Sequence, residues 1–142
     1  MSPDIDREPE LVNSSQVAVA EKFFSSAFNG AVADAMDALD PNVTYHVPGT
    51  HQLAGTFVGP EAVAAHVGVI LRLTHDRIDV VQWEDWMMGV NNVAGLVHVR
   101  MQRERAIFDT RLLYLVSLSE ANKLRRIEVF FGDQAAAERF FV

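Results

Sequence analysis

The feature that most constrains the fold is a change in hydrophobic period along the chain. Before residue 30, apolar residues such as Val17, Phe24 and Phe28 recur at the spacing of one helix face. After residue 77, successive segments alternate apolar and polar residues, and only short polar turns separate them. Strands joined by short connections pair as antiparallel hairpins rather than as parallel strands with helical crossovers. The pattern predicts an α+β domain in which helices cover one face of a strongly curved antiparallel sheet.

Local signals at Ser, Gly and Pro residues place the element boundaries. In chain order, we predict a helix from Ser14 or Ser15 to Asn29, a helix at about 31–39, strands at 43–47 and 55–58, a helix at 60–73, strands at 77–86, 92–102, 107–118 and 124–131, and a helical turn from Asp133 to Phe140. Residues 1–13 are polar and acidic, which predicts a flexible N-terminal arm. The remainder, 14–142, is predicted to be a single domain, since it contains no repeats or linkers.

Composition narrows the choice of partners. The formal net charge is −7, whereas nucleic acids and anionic membranes favour clustered Lys and Arg. No segment approaches the roughly 20 apolar residues that span a bilayer. The chain has no cysteine, so disulfides, thiolate nucleophiles and cysteine-ligated metals are excluded, and a cytoplasmic location is predicted. We therefore expect no nucleic acid and no membrane as a partner.

Alternation assigns the residues of the long strands to two faces of the sheet. One face is almost wholly apolar and must be covered by helices. Its residues include Val97, Val99, Met101, Thr110, Leu112, Tyr114, Ile127, Val129 and Phe131. The other face is mixed, and its charged residues can pair across strands: His98, Arg100, Asp109, Arg111 and Glu128. The mixed face suits solvent or a polar dimer interface.

Several residues have a structural and a functional interpretation. Trp83 and Trp86 are three apart, which predicts opposite faces of one strand and a packing or interface role for at least one of them. His46 and His51 flank the Pro48-Gly49 turn as solvated loop residues, or share a metal with a third ligand. Asp133 is either the N-cap of the last helical turn or a residue of a pocket mouth.

Two stretches of the chain carry a family resemblance. These are LDPNVTYHVPGTHQLAGTFVGPEAVAAHV and the ending RRIEVFFGDQAAAERFF, with four strands between them. The sequence resembles SnoaL-like and ketosteroid-isomerase-like proteins of the nuclear-transport-factor-2-like superfamily, over nearly the whole chain after residue 14. The resemblance implies a cone-shaped, barrel-like α+β fold with one deep apolar pocket between sheet and helices, commonly in homodimers. It does not specify a function, because this superfamily includes isomerases, cyclases, epoxide hydrolases, dehydratases and non-catalytic binders.

The catalytic residues of two members are not retained. Ketosteroid isomerases have a general-base Asp directly before the Pro of the first strand, and here that residue is Val47. Their oxyanion-binding Tyr of the first helix corresponds to Phe23, and their protonated oxyanion Asp corresponds to Tyr114. The Arg-x-Asp pattern of limonene epoxide hydrolases is reversed in Asp109-Thr110-Arg111. Neither mechanism is therefore expected.

An aromatic pocket position of the isomerases corresponds to His66, which suggests a different site. A neutral His in an apolar pocket can act as a base near pH 7, and Tyr114 and Tyr45 can donate hydrogen bonds to an oxyanion. The leading hypothesis is a SnoaL-like, polyketide-cyclase-like enzyme that binds a small apolar or aromatic metabolite. It would catalyse a cyclisation, a dehydration or an isomerisation by proton transfer, without a cofactor or metal. The expected pocket wall consists of Phe23, Val47, Val97, Val99, Met101, Thr110, Leu112, Ile127, Val129, Phe131 and, at the mouth, Asp133.

Two other interpretations of the sequence stay open. One is a non-catalytic ligand-binding or accessory dimer, which needs the pocket but no base. The other is an interaction module whose pocket is simply filled core, in which case His66 is a core residue hydrogen-bonded to a Tyr or a carbonyl. The presence and size of a cavity next to His66 distinguish them.

Overall fold

The structure is a computed structural model that describes residues 4–142, with side chains from Ser15 onward. Its elements are α1 (Asp4–Phe28), α2 (Val32–Met36), β1 (Leu39–Val47), β2 (Gly55–Val58), α3 (Pro60–Thr74), β3 (Ile78–Met88), β4 (Val93–Arg103), β5 (Ala106–Leu118), β6 (Leu124–Phe131) and α4 (Gln134–Phe140). The order of elements is the predicted one. However, α1 begins at Asp4 rather than at Ser14 or Ser15. Residues 1–3 of the predicted arm lie outside the described residues, and the flexibility of the arm stays a prediction.

The six strands form one curved sheet in the order β2-β1-β6-β5-β4-β3. All neighbouring strands are antiparallel except β1 and β6, which are parallel. The predicted antiparallel pairing of consecutive strands is confirmed. The parallel pair joins two strands that do not follow one another along the chain, and the argument from short connections does not apply to it. The sheet is open, with β2 and β3 at its edges, so the barrel-like shape that the resemblance implied is not closed.

The assignment of the two sheet faces from alternation is confirmed. Along β4, Val97, Val99 and Met101 are buried, whereas Arg100 is exposed. Helices α1 and α3 cover this inner face, with α1 against β3 and β4, and α3 against β1 and β2. Within residues 4–142, no helix combines the length and the hydrophobicity needed to cross a bilayer.

Among the residues whose side chains the structure describes, pairs of acidic and basic side chains lie on the outer, mixed face. His98 Nε2 lies 2.5 Å from Asp109 Oδ1, and Arg111 Nε lies 2.7 Å from Glu84 Oε1. Arg126 pairs with Glu128 on the same strand. The predicted pairing across strands is thus confirmed for His98 with Asp109. Arg111 pairs with Glu84 of β3.

The two tryptophans contradict the alternation argument. Their rings stack with centroids 4.6 Å apart and an interplanar angle of 23°. The pairing of β3 with β4 shifts register between Trp83 and Asp85, and such a bulge changes which side chains share a face. Both rings contact Gly95 of β4, which has no side chain to hinder them.

Gly95 gives a stability prediction. A Cβ at this position would lie 2.6 Å from Trp86 Cζ3 and 2.9 Å from Trp83 Cζ3, so we expect Gly95→Ala to destabilise the protein by about 1–3 kcal/mol through overpacking. Gly68 is the matched control, since it lies inside α3 and its added Cβ would meet Arg72 Nη1 at 3.6 Å. Gly68→Ala should stabilise by about 0.5–1 kcal/mol. Urea unfolding of both variants measures the difference, and a Gly95→Ala variant as stable as wild type would contradict the packing described.

Candidate functional site

A small cavity lies between the inner face of the sheet and the helices. Its volume is about 50 Å³, which leaves room for a few water molecules, so a larger ligand must widen the cavity as it binds. This is well below the ~300–1,000 Å³ of pockets that bind drug-sized ligands. Of the residues that line it, His66, Tyr45 and Tyr114 carry polar side-chain groups, and the others are aliphatic or aromatic. The structure thus brings together the three side chains that the sequence proposed as catalytic.

The predicted pocket wall is divided by the structure. Six of its members line the cavity: Phe23, Val47, Met101, Leu112, Val129 and Phe131. Val97, Val99 and Ile127 lie on the same inner face but do not line the cavity, because other side chains cover them completely. Position on the inner face is therefore not sufficient to place a residue at the cavity. A ligand-binding role for the six that line it stays a prediction.

Thr110 and Asp133 do not line the cavity either. The hydroxyl of Thr110 is engaged locally, since it donates to the carbonyl oxygen of Arg111 at 3.4 Å. Asp133 is exposed and accepts a hydrogen bond from the amide of Ala136 at 3.0 Å, as the N-cap of α4. The structural interpretation of Asp133 therefore holds, and its placement at the pocket mouth is wrong.

Tyr45 and Tyr114 form a buried pair of phenols. They occupy inward-facing positions of β1 and β5, and Tyr114 packs against Phe24 with ring centroids 4.0 Å apart. Burial raises the pKa of both hydroxyls, and the proximity of the two hydroxyls opposes this rise at Tyr45 while adding to it at Tyr114. Both are neutral donors at pH 7, and the proton of Tyr45 remains available to a ligand.

His66 is the third polar group of the cavity. It lies on the inner face of α3, is 3% exposed, and stacks on Phe57 with ring centroids 4.3 Å apart. Burial, and to a smaller extent the electrostatic interaction with His51, lower its pKa to about 4. Its Nδ1 atom is buried and has no hydrogen-bond partner. His66 is therefore a neutral imidazole at pH 7, and its Nδ1 lacks the tyrosine or carbonyl partner of the alternative interpretation.

His51 was misassigned by sequence reasoning to a solvated loop. It is 8% exposed, and its ring packs against Phe141 and Phe131 with centroids 5.2 and 5.9 Å away. Its Nδ1 accepts a hydrogen bond from the amide of Leu53 at 3.2 Å, so the neutral ring carries its proton on Nε2. That nitrogen is buried and has no partner. Leu53, an apolar residue within a polar loop, was the available signal that this loop turns inward.

Hydrogen bonds tie the loop at 48–54 to the C-terminal helix. Glu138 accepts from the amide of Thr50 at 2.9 Å and from its hydroxyl at 2.8 Å. Gln52 adds a side-chain bond to the carbonyl oxygen of Val142 at 2.8 Å. The close approach of Glu138 to this loop needs glycine at position 49, where φ is +114° and a Cβ would lie 2.3 Å from Glu138 Oε2. The loop carries Leu53, and Phe141 follows α4; both line the cavity. The hydrogen bonds between the loop and the C-terminal helix therefore close one end of the cavity.

A shared metal at His46 and His51 is not supported. His46 is exposed on β1, and its Nδ1 lies 2.9 Å from Thr56 Oγ1. Among residues 15–142, no three His, Asp or Glu side chains converge closely enough to hold a metal ion.

The burial of His66 predicts a pH-dependent stability. Its pKa is about 4 in the folded protein, against an ordinary value of 6.5 for a solvated histidine, so the unfolded chain binds the proton first as the pH falls. Stability should decrease by up to about 3 kcal/mol between pH 6.5 and pH 4 and level off below that. His66→Phe keeps a ring against Phe57 and should remove this contribution. Chemical denaturation at several pH values measures the difference between the two proteins, and parallel pH profiles would contradict the assignment.

No protein-family model matches the chain. In sequence it is similar to uncharacterized proteins of Mycobacterium bovis and Mycobacterium tuberculosis, with 26% identity over 132 residues that cover 92% of this chain and 99% of each relative. These relatives have nearly the same extent as this chain, but their names give no activity.

Comparison with solved structures identifies the fold. A Xanthomonas campestris protein of unknown function with a cystatin-like fold superimposes with a TM-score of 0.81, at 21% identity over 89% of this chain and 97% of that chain. A nuclear-transport-factor-2-like protein of Burkholderia xenovorans gives 0.80, at 17% identity over 92% and 98%. TerC gives 0.77, at 13% identity over 89% and 98%. The chain has the nuclear-transport-factor-2-like, cystatin-like fold, as its resemblance to SnoaL-like proteins implied.

Proposed function

We propose that this chain binds a small, largely apolar molecule in its cavity and moves a proton on it without a cofactor. The observation that carries the proposal is the convergence of Tyr45, Tyr114 and His66 on one cavity whose other lining residues are apolar. Such a site recognises a molecule with an apolar body and one polar oxygen. TerC, which has the same fold, has been crystallised with polyporic acid, and this supports a small-molecule role for the present chain.

The chemistry of the three side chains suits proton transfer next to a carbonyl group. The ligand oxygen would accept a hydrogen bond from Tyr45, whose hydroxyl lies beside that of Tyr114. His66, neutral at pH 7, would take the proton from the adjacent carbon, and the resulting enolate oxygen would be stabilised by Tyr45. Return of that proton to another carbon completes an isomerisation. Attack of the enolate carbon on a second carbonyl completes a cyclisation.

One observation favours a second function, binding without turnover. A general base works best when its pKa lies near the working pH, whereas burial holds the pKa of His66 at about 4. No described carboxylate lines the cavity to raise that pKa. The same pocket would then serve as a binding site only, and deuterium exchange of a bound ketone distinguishes the two functions.

Phenol and toluene test the proposal, since they have a similar size and differ in the hydroxyl group. In a nuclear magnetic resonance titration, phenol should bind more tightly than toluene and shift signals of residues 45, 66 and 114. Tyr45→Phe should weaken phenol binding about tenfold, the equivalent of one lost hydrogen bond, and leave toluene unchanged. Wild type should also accelerate exchange of the α-hydrogens of cyclopentanone in D₂O, and His66→Phe should abolish this. Binding without exchange supports the second function, and no binding of either ring overturns both.

We also propose that the chain forms a homodimer through the outer face of the sheet. Phe130 is 44% exposed there, and its cross-strand partner Leu113 and nearby Leu115 are half-buried. The Arg111–Glu84 and Arg126–Glu128 pairs flank these apolar residues. An apolar centre with a charged rim is typical of protein interfaces.

Sedimentation of two variants tests the dimer. Phe130→Asp places a charge in the centre of the patch and should yield a monomer. Ile107→Asp is the control, because Ile107 is similarly exposed, at 51%, but lies at the other end of β5. A wild-type protein that sediments as a monomer at all concentrations would contradict the proposal.

A further inference from the structure

A second, larger recess lies outside the cavity, where β6 begins and β5 ends. Its volume is about 500 Å³, within the ~300–1,000 Å³ of pockets that hold small ligands. Two arginines line it together with side-chain amides and hydroxyls, and we call this surface the basic groove. The residues that define it are Arg125, Arg126, Asn42, Asn91, Thr44 and Ser117. Unlike the cavity, the groove is large enough to hold a small organic molecule without widening.

A β-bulge directs both arginines into the groove. Ser117 pairs with Arg126 and Leu118 pairs with Leu124, so Arg125 is an extra residue without a partner on β5. Leu124 is buried, whereas Arg125 and Arg126 are both exposed. In a regular strand, two consecutive side chains would point to opposite faces of the sheet. Bulges re-aim side chains and are common next to functional sites, and this bulge concentrates two guanidinium groups on one surface.

Uncharged polar groups surround the two arginines. Thr44 of β1 and Ser117 of β5 are the direct cross-strand partners of Arg126, and residues opposite one another project from the same face. Asn42 lies two residues before Thr44 and therefore projects from that face as well. Asn91 reaches the groove from the turn between β3 and β4. Three separate segments thus add hydroxyl and amide donors to the guanidinium groups.

The local charge of the groove is opposite to the charge of the whole chain. Asp and Glu outnumber Lys and Arg by 19 to 12, yet no acidic side chain of residues 15–142 lines the groove. Arg126 pairs with Glu128 on the same strand, whereas Arg125 has no acidic partner among those residues. More distant acidic groups are screened, because the Debye length is about 8 Å at physiological ionic strength. An anion in the groove therefore meets a positive charge.

We propose that the basic groove binds the phosphate group of a small phosphate ester. A guanidinium group presents paired N–H donors that match the oxygens of phosphate or carboxylate. A phosphate ester carries a charge of about −1.5 to −2 at pH 7 and three acceptor oxygens, whereas a carboxylate has one charge and two oxygens. The donors around Arg125 and Arg126 are numerous enough to favour phosphate. This site is separate from the cavity, and Phe130 of the proposed dimer interface lies at the other end of β6.

Phenyl phosphate tests the proposal, with benzoate as a carboxylate of similar size. In a nuclear magnetic resonance titration of the full chain at constant ionic strength, phenyl phosphate should cause saturable shifts at residues 42, 91 and 117. Benzoate should bind about tenfold more weakly or less. Arg125→Gln removes the charge and should weaken phenyl phosphate binding about tenfold. Arg105→Gln is the matched control, since Arg105 is exposed in the turn between β4 and β5 at the opposite end of β5, and should leave binding unchanged.

Three outcomes would overturn the proposal. The first is phenyl phosphate that causes no saturable shift at residues 42, 91 and 117, or shifts residues 45, 66 and 114 of the cavity instead. The second is an equal loss of affinity in Arg125→Gln and Arg105→Gln, which would show a non-specific effect of charge. The third is benzoate that binds as tightly as phenyl phosphate. None of these results bears on the proposed function, which phenol and toluene test at the cavity.

Discussion

The parallel pairing of β1 with β6 is the interaction on which the rest of the structure depends. It joins the strand pair β1–β2 to the meander β3–β6, and its register sets Tyr45 opposite Ile127. On the other side of β6, Val129 pairs with Tyr114. The two tyrosines therefore meet across a single intervening strand, although they are far apart in sequence. Helix α3 follows β2 directly and packs against β1 and β2, so the same pairing also carries His66 over the sheet.

Desolvation determines the chemical character of the site that results. In water a histidine and two phenols are ordinary polar groups, but here all three face apolar side chains in a cavity of about 50 Å³. Burial disfavours every charged form, so the pKa of His66 falls to about 4 while those of Tyr45 and Tyr114 rise. The site at rest is therefore electrically neutral and contains hydrogen-bonding groups with unused capacity. Any charge in it must come with a ligand.

Much of this could be predicted from local sequence patterns, and the failures have physical causes. Alternation assigned the faces of β4 and β5, because a strand with one covered face repeats every second residue. It failed for Trp83 and Trp86, where a bulge interrupts the repeat. It also placed Val97 and Ile127 at the cavity, since alternation identifies an inward-facing residue but not whether empty space lies above it. The family resemblance placed His66, which no local pattern distinguishes from an ordinary core histidine.

His51 shows a different kind of failure. The loop at 48–54 is polar in composition, and its inward turn depends on Glu138, which lies more than eighty residues later in the chain and accepts from Thr50. The contact between Glu138 and Thr50 has no signature at the loop itself, and only the apolar Leu53 indicates that the loop turns inward. Gly49 permits the close approach of Glu138 to the loop. However, a glycine after a proline is expected in any turn, so its presence does not predict this contact.

His66 links the identity of the ligand to the direction of proton transfer. A neutral ligand leaves His66 deprotonated, and its unpaired Nδ1 is then a base, although a weak one, since burial keeps the pKa at about 4. A ligand that brought a negative charge next to His66 would reverse the balance, because an adjacent negative charge favours the protonated form of an imidazole. His66 would then enter the reaction as an acid and could donate to a leaving hydroxyl, as in a dehydration. The charge of the ligand, rather than a further residue of the chain, thus determines whether this cavity supports base or acid chemistry.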